Sequence, residues 1–431
     1  MKNQIKLSLQ ILFFIFLSFS LSATTLDEIF SIALEASSQE PNVISGRTEV
    51  ISAEAELSAS RRARLPVFNA SIINALTIDR QISDRNSLRK IEDEGLDARL
   101  QMVQPIFTGF RIQSDINRNR ANLSSVTLQA NQRFNKTIIE AISAYINYNY
   151  NINSTELLKS SLRRADEILN LEQQRFNAGL IDLNSYSQVK IKYSDLQLLY
   201  NRTQNLLLSS RAVFLRLFPD LELPSGSAIS YRQYDYEYLI SDKDSFDLES
   251  VKYQLLAAKA DLLKANGARL PSIALEVSGT FYDVDGSDQD VDEYDIRGGL
   301  QASWQFLDFG ANRKRVVSKK SLVNSLKYKI DYQRRIDEVE KLSLLSNIAS
   351  LSQQLNEQYL VLEDLTNQSN IMEAQLISSN FSGVSLINLL TQKSLVQNTI
   401  NQLENDYIVS NLNLKLLSQD LQDFIISRSI R

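Results

Sequence analysis

The sequence predicts a mainly α-helical chain with a small β part, built as two tandem repeats of a strand hairpin followed by a long α-helical hairpin. Three observations carry this. Landmarks in the first half recur in the second at nearly constant spacing. Each half changes from helical to period-two patterning and back in the same order. Two stretches, 112–178 and 311–382, run without a single Gly or Pro.

The chain opens with Lys2 and Lys6, a largely apolar run over 7–21 and the small-residue site Leu21-Ser22-Ala23, the pattern of a secretory signal peptide spanning 1–23. No Cys follows that could be acylated, so the mature chain is expected to hold to any membrane by its own fold. Beyond Ala23 no run reaches the length of about 18 apolar residues that a membrane-crossing helix needs, so any crossing is left to strands. With no Cys and no His, the chain lacks disulfides, thiolate catalysis, Ser-His-Asp arrangements and the usual zinc sites. A net charge of -5 argues against a nucleic-acid partner. The scarcity of Gly (12) and Pro (6) suits long helices with few turns.

The duplication is explicit. Ala53-Glu54-Ala55-Glu56-Leu57 and Ala63-Arg64-Leu65-Pro66 recur as Ala258-Lys259-Ala260-Asp261-Leu262 and Ala268-Arg269-Leu270-Pro271, 205 residues later. Ile106-Phe107-Thr108-Gly109-Phe110 lies opposite Phe306-Leu307-Asp308-Phe309-Gly310 at 200, and Gly179 opposite Gly383 at 204. The first repeat is placed at 24–225, a linker at 226–245 and the second repeat at 246–431. In each, an Ala-rich helix ends at Leu-Pro, where the proline ring blocks further helix.

Strands follow, at about 66–80 and 96–107, then at about 272–283 and 294–307. Ile273, Leu275, Val277, Gly279 and Phe281 alternate with Ser272, Ala274, Glu276, Ser278 and Thr280; Ile296, Gly298, Leu300, Ala302, Trp304 and Phe306 alternate with polar partners. The first copy is weaker and is interrupted at Asn74: Phe68, Ala70, Ile72, Leu76 and Ile78, then Leu96, Ala98, Leu100, Met102 and Ile106. Such alternation means half-buried strands. Three features favour a membrane over a soluble core. The strands approach the length a tilted membrane strand requires. Arg99, Gln101, Glu276, Arg297 and Gln301 make the other face wet. Aromatics gather at strand ends, Tyr282 and Tyr294 at one end and Trp304, Phe306 and Phe309 at the other. Four strands cannot close a barrel and an open edge is not tolerated in lipid, so a barrel shared between chains follows. Two chains would give eight strands and three would give twelve; strand counting does not choose.

The long helical hairpins are placed at 112–217, with its tip near 179, and at 311–416, with its tip near 383. In the first, Ile138, Ile142, Tyr145, Ile152, Leu158, Leu162, Ala165 and Leu169 recur at helical steps. Roughly 67 residues at 1.5 Å each make a rod of about 100 Å. Each Gly also suits a helix end, where left-handed geometry favours it.

These features together resemble the outer-membrane efflux protein family, the TolC-like exit ducts. The likeness covers nearly the whole mature chain. It is carried by the duplicated Ala63-Arg64-Leu65-Pro66 and Ala268-Arg269-Leu270-Pro271, by Gln104-Pro105-Ile106-Phe107-Thr108-Gly109 and Leu307-Asp308-Phe309-Gly310, and by Arg175-Phe176-Asn177-Ala178-Gly179-Leu180. The resemblance implies a homotrimer with a twelve-stranded β-barrel in the outer membrane and an α-helical barrel across the periplasm. It implies a passive, non-enzymatic duct for efflux or type I secretion, with a periplasmic membrane-fusion adaptor and an inner-membrane ABC or proton-driven transporter as partners. It places adaptor docking at Gly179, Leu180, Gly383 and Val384. Candidates for the periplasmic gate are Arg175, Asp182, Ser385, Asn388 and Gln392; the family's aperture usually involves charged or hydrogen-bonding residues near the second tip, and the stretch here has no acid.

No catalytic, cofactor-binding or metal-ligating residue is assigned. The acidic stretch from Asp283 to Glu293 has its Gly286 too early for an EF-hand and reads as a solvated external loop, with weak divalent-ion binding as the alternative. Tyr231, Tyr234, Tyr236 and Tyr238, in the linker, are expected to pack around the waist of the helical barrel. The rival functional reading is a periplasmic helical adaptor or scaffold whose strands form a soluble cap. A secreted hydrolase would need an acid pair in a compact pocket, and no stretch resembles such a domain.

Overall fold

The computed structural model describes residues 25–84, 87–224, 243–285, 293–375 and 382–429, with the side chains of 74–97 and 282–294 left aside. The expected leader, the four linker tyrosines and the centre of the acidic loop lie outside these residues, as do the side chains of Tyr282 and Tyr294. The elements run α1 (Leu26–Gln39), α2 (Pro41–Arg62), β1 (Val67–Asp84), β2 (Ser87–Phe107), α3 (Arg111–Asn177), α4 (Leu183–Leu217), α5 (Phe246–Gly267), β3 (Ser272–Asp285), β4 (Glu293–Ser303), α6 (Ala311–Ala374), α7 (Gly383–Leu417) and α8 (Leu421–Ser429). Thus α2-β1-β2-α3-α4 is repeated as α5-β3-β4-α6-α7. The first strands of the two copies start 205 residues apart and the long helices 200 apart. The first strand hairpin is therefore the longer.

All four strands form one antiparallel sheet in the order β1-β2-β3-β4, so the two copies meet at β2 and β3. Because the register is continuous, the faces inferred strand by strand line up. Phe68, Met102, Val277 and Gly298 share one row; Ala70, Leu100, Gly279 and Ile296 share the next. This face is apolar and uncovered, with Ile296 72% exposed. On the other face the Gln101 side-chain amide donates to Glu276, Arg99 lies 3.6 Å from the same carboxylate, and Arg297 pairs with Asp295 at 2.6 Å. Among the described residues, no strand pairs with the outer edge of β1 or of β4.

Two strand boundaries differ from the alternation pattern. The first pair continues through the Asn74 interruption because backbone pairing persists after the side-chain pattern lapses, with a register shift between Thr77 and Arg80. At the other end β4 stops at Ser303, although Trp304 and Phe306 continue the alternation. There the Trp304 indole N–H donates to the Arg269 carbonyl at 2.9 Å, and the Asp308 carboxylate accepts from the amides of Gly310 and Asn312 at 3.0 and 2.7 Å. The chain is thereby turned out of the sheet and into α6.

The long helix α3 runs through the middle of the protomer, against α2 and α5 near the sheet and against α4 and α7 farther down. Its Ile138, Ile142 and Ile146 are buried together with Phe30 of α1, Phe214 of α4, Leu412 of α7 and Ile425 of α8. The short helix α1 is set by a capping box between Thr25 and Glu28. Glu404 of α7, buried, accepts hydrogen bonds from the hydroxyls of Tyr150 on α3 and Tyr359 on α6, and Asn401 donates to Ser154 at 3.0 Å. These bonds satisfy groups that would otherwise be costly to bury, and they tie α7 to both long helices. By contrast, α6 leaves Tyr328, Tyr332, Val339 and Leu342 in the open, Leu342 at 68%. The two rods are alike in sequence pattern but unlike in place: α3 is central and α6 is an edge.

Candidate functional site

The first hairpin tip is built by standard helix-end chemistry. α3 ends in a Schellman arrangement, the Leu180 amide bonding the Arg175 carbonyl and the Gly179 amide the Phe176 carbonyl, each at 2.9 Å. Gly179 has φ +73, and a Cβ there would meet nothing within 4 Å. Asp182 caps α4 by accepting from the Ser185 amide at 2.7 Å, and the Phe176 and Tyr186 rings stack at 5.3 Å across the turn. Leu180 projects from this turn, 71% exposed, with Leu183 exposed beside it.

The second tip is different. Residues 376–381 lie outside the described residues, and Gly383 does not end a helix; it is the first residue of α7, with a negative φ, behind the cap Ser382. In the helical hairpins its counterpart is Leu183, not Gly179, since α4 and α7 start at those two positions. Gly383 is small for a packing reason. A Cβ would come within 2.9 Å of Glu172 and of Ile168 on α3. Val384 is likewise drawn onto the apolar cluster of Leu158, Ala165, Ile168, Val189, Leu196, Leu386, Ile387 and Leu390. Of the four expected docking residues, the first tip presents Leu180 outward and the second turns Gly383 inward.

The gate candidates have separate local partners. Arg175 faces back along its own helix to Glu172 at 3.2 Å, and Asp182 is engaged as a cap. The Ser385 hydroxyl lies 3.0 Å from that of Ser382, Asn388 is half-buried and Gln392 is exposed. Glu172, buried beside Gly383, was not singled out from sequence. Its only signal there is its position three residues before Arg175, on the same helix face.

Two expected results follow at the tips. Gly383→Ala should destabilise the junction of α3 and α7 by about 1–3 kcal/mol, since Glu172 and Ile168 must move. Gly179→Ala should cost about 1 kcal/mol for the left-handed backbone alone. Thermal midpoints with hydrogen exchange in the first turn of α7 would check both; exchange there should rise only for Gly383→Ala. The second result concerns pH. Hydrogen bonds from Ser185, side chain first and then amide, hold the Asp182 carboxyl below the usual carboxylate range. A depressed folded value means that the cap stabilises fully above the ordinary carboxylate pKa and is lost as pH falls through the lower folded value. Protection of the Ser185 amide should fall over that acid window, and Asp182→Asn should remove the dependence.

Among the described residues, no group of three or more acidic side chains is placed to hold a metal ion, and no helix is long and apolar enough to cross a membrane. The site is a set of surfaces: an apolar sheet face, two open edges and an exposed tip.

Residues 33–215 match the model of the family described as "Outer membrane efflux protein". No curated protein sequence matches the chain. The fold is shared with solved outer-membrane channels. The CmeC outer membrane channel of Campylobacter jejuni superposes with a TM-score of 0.78 at 13% identity, covering 96% of this chain and 94% of that one. The transmembrane channel CusC gives 0.76 at 14% identity, covering 91% of each chain, and the outer membrane protein VceC of Vibrio cholerae gives 0.72 at 12%, covering 91% and 94%.

Proposed function

We propose, from the match of residues 33–215 to the outer membrane efflux protein family and the fold shared with outer-membrane channels, that the chain is one subunit of a trimeric exit duct in the outer membrane. Its four strands form a third of a closed barrel and its helices a third of a periplasmic tube. The duct is passive: substrate is delivered by an inner-membrane transporter through a periplasmic adaptor, as in tripartite efflux or type I secretion. The two repeats, 24–225 and 246–431, each supply about a sixth of the wall.

One observation carries the reading. Among the described residues, the sheet is apolar on one uncovered face and ends in two unpaired edges, while α6 leaves Tyr328, Tyr332, Val339 and Leu342 exposed along the side of the protomer. Each is expensive in isolation, the edges above all in lipid, and each is covered if β4 and α6 of one subunit meet β1, α2 and α4 of the next. We place adaptor docking at the first tip, centred on Gly179 and Leu180. Gly383 and Val384 act there by positioning α7 against α3. Arg175, Asp182, Ser385, Asn388 and Gln392 remain the gate set, joined by Glu172.

The chain has no Cys, so engineered pairs report without background. Cysteines placed singly on the polar face of β1 (Asn69, Ser71) and on the same face of β4 (Arg297, Gly299), combined and oxidised in membranes, should yield a closed trimer as the largest covalent species. Recovery of a soluble monomer, or dimers alone, would sink the proposal.

A further inference from the structure

The ends of α2 and α5 and the starts of α3 and α6 all lie at one end of the sheet, because every strand connects to a helix there. In the four connecting stretches 58–66, 104–114, 264–272 and 304–316 there are nine Lys or Arg and one acid, Asp308, although the whole chain is net negative. That acid is occupied in capping α6. Arg61, Arg62 and Arg64 are exposed at the end of α2, and Arg313, Lys314 and Arg315 at the start of α6. Arg64 reaches the neutral Gln113, and Arg315 reaches Asn312 at 3.0 Å and lies near the single carboxylate of the stretch, Asp308. Beside them stand Phe306, 80% exposed, Phe309, 94% exposed, and Trp304.

Within one protomer the two basic triplets lie on opposite edges of the sheet, before β1 and after β4. This inference rests on the trimer proposed above. When β4 of one subunit meets β1 of the next, the triplets converge, placing six cations at each seam with Asp308 as the only nearby acid of the junction stretches. Such convergence opposes assembly unless an anion intervenes. We propose that each seam binds the phosphate headgroup of an anionic phospholipid from the periplasmic leaflet, and that this lipid promotes joining of the subunits. The choice of lipid over a soluble anion or an acidic protein comes from what adjoins the cations. They sit directly below the apolar sheet face among exposed aromatics, at the depth where aromatic side chains and basic clusters meet headgroups. The cations also recur at every junction rather than on one side, which suits a planar layer of phosphates.

The test uses the full mature chain refolded into vesicles of phosphatidylcholine alone or of an equimolar mixture with phosphatidylglycerol, with trimer read by the cysteine pairs above. Trimer formation should be about tenfold faster with phosphatidylglycerol. The gain should shrink in high salt, which screens the contact. R313Q/K314Q/R315Q, and separately R61Q/R62Q/R64Q, should trimerise at similar rates in both vesicles. Mass spectrometry of the extracted wild-type trimer should show phosphatidylglycerol retained over phosphatidylcholine. Wild-type trimerisation that is indifferent to phosphatidylglycerol, or equally promoted by inorganic phosphate over phosphatidylcholine vesicles, would overturn the inference while leaving the duct intact. A chain that forms no trimer in either vesicle would instead count against the duct.

Discussion

Gly267→Ala is expected to cost about 3 kcal/mol, at the upper end of what overpacking usually costs, and to abolish most native assembly. Gly267, the last residue of α5, lies backbone to backbone against Gly109, which precedes α3. A Cβ on either would overlap the other's carbonyl oxygen, and Gly109 also needs a positive φ, +60. The obstacle is main chain on both sides, so no side chain can swing away to relieve it. The contact joins the end of the second repeat's first helix to the start of the first repeat's long helix, and so fixes how the two copies share one sheet. Gly299→Ala is the control: it lies in β4, where an added Cβ would meet nothing within 4 Å. Thermal unfolding of the two variants should separate them clearly. Equal midpoints would show that the two backbones do not approach as described.

Leu300→Arg is expected to weaken insertion by about 2–4 kcal/mol if it lies near the bilayer midplane, and less toward the interface. Leu300 faces the uncovered apolar side of β4, in the row of Leu275. Its neighbour Gln301 points to the other face at nearly the same depth, so Gln301→Arg should leave insertion close to wild type while changing the charge of the lumen. Urea titration of vesicle-inserted protein would measure both. Equal losses from the two substitutions would mean that the sheet has no lipid face.

Much of the fold was legible because its signals are local. Period two sorts Ile273, Leu275 and Val277 from Ala274, Glu276 and Ser278 without any knowledge of the neighbouring strand. The absence of Gly and Pro from 112–178 permits one rod, which α3 very nearly fills. The tips were legible only in part. Gly179 announces a turn because only a residue without Cβ adopts its backbone cheaply. Gly383 looks the same in sequence but is small for another reason, the presence of Glu172 and Ile168 from a helix some two hundred residues earlier. Trp304 and Phe306 continued the alternation beyond the true end of β4, because the hydrogen bond from Trp304 to Arg269 that ends the strand joins two different elements.

The sequence by itself determined the repeat, the helices, the strands and the two faces of the sheet, since each depends on residues a few positions apart and on the fixed periods of helix and strand. Only the tertiary structure decided that β2 pairs with β3, that α3 lies inside while α6 forms an edge, and that Glu172 is buried beside Gly383. It alone brought Gly109 and Gly267 together. Those outcomes depend on close packing between residues far apart in the chain, where shape and approach distance decide and local pattern carries no record of them.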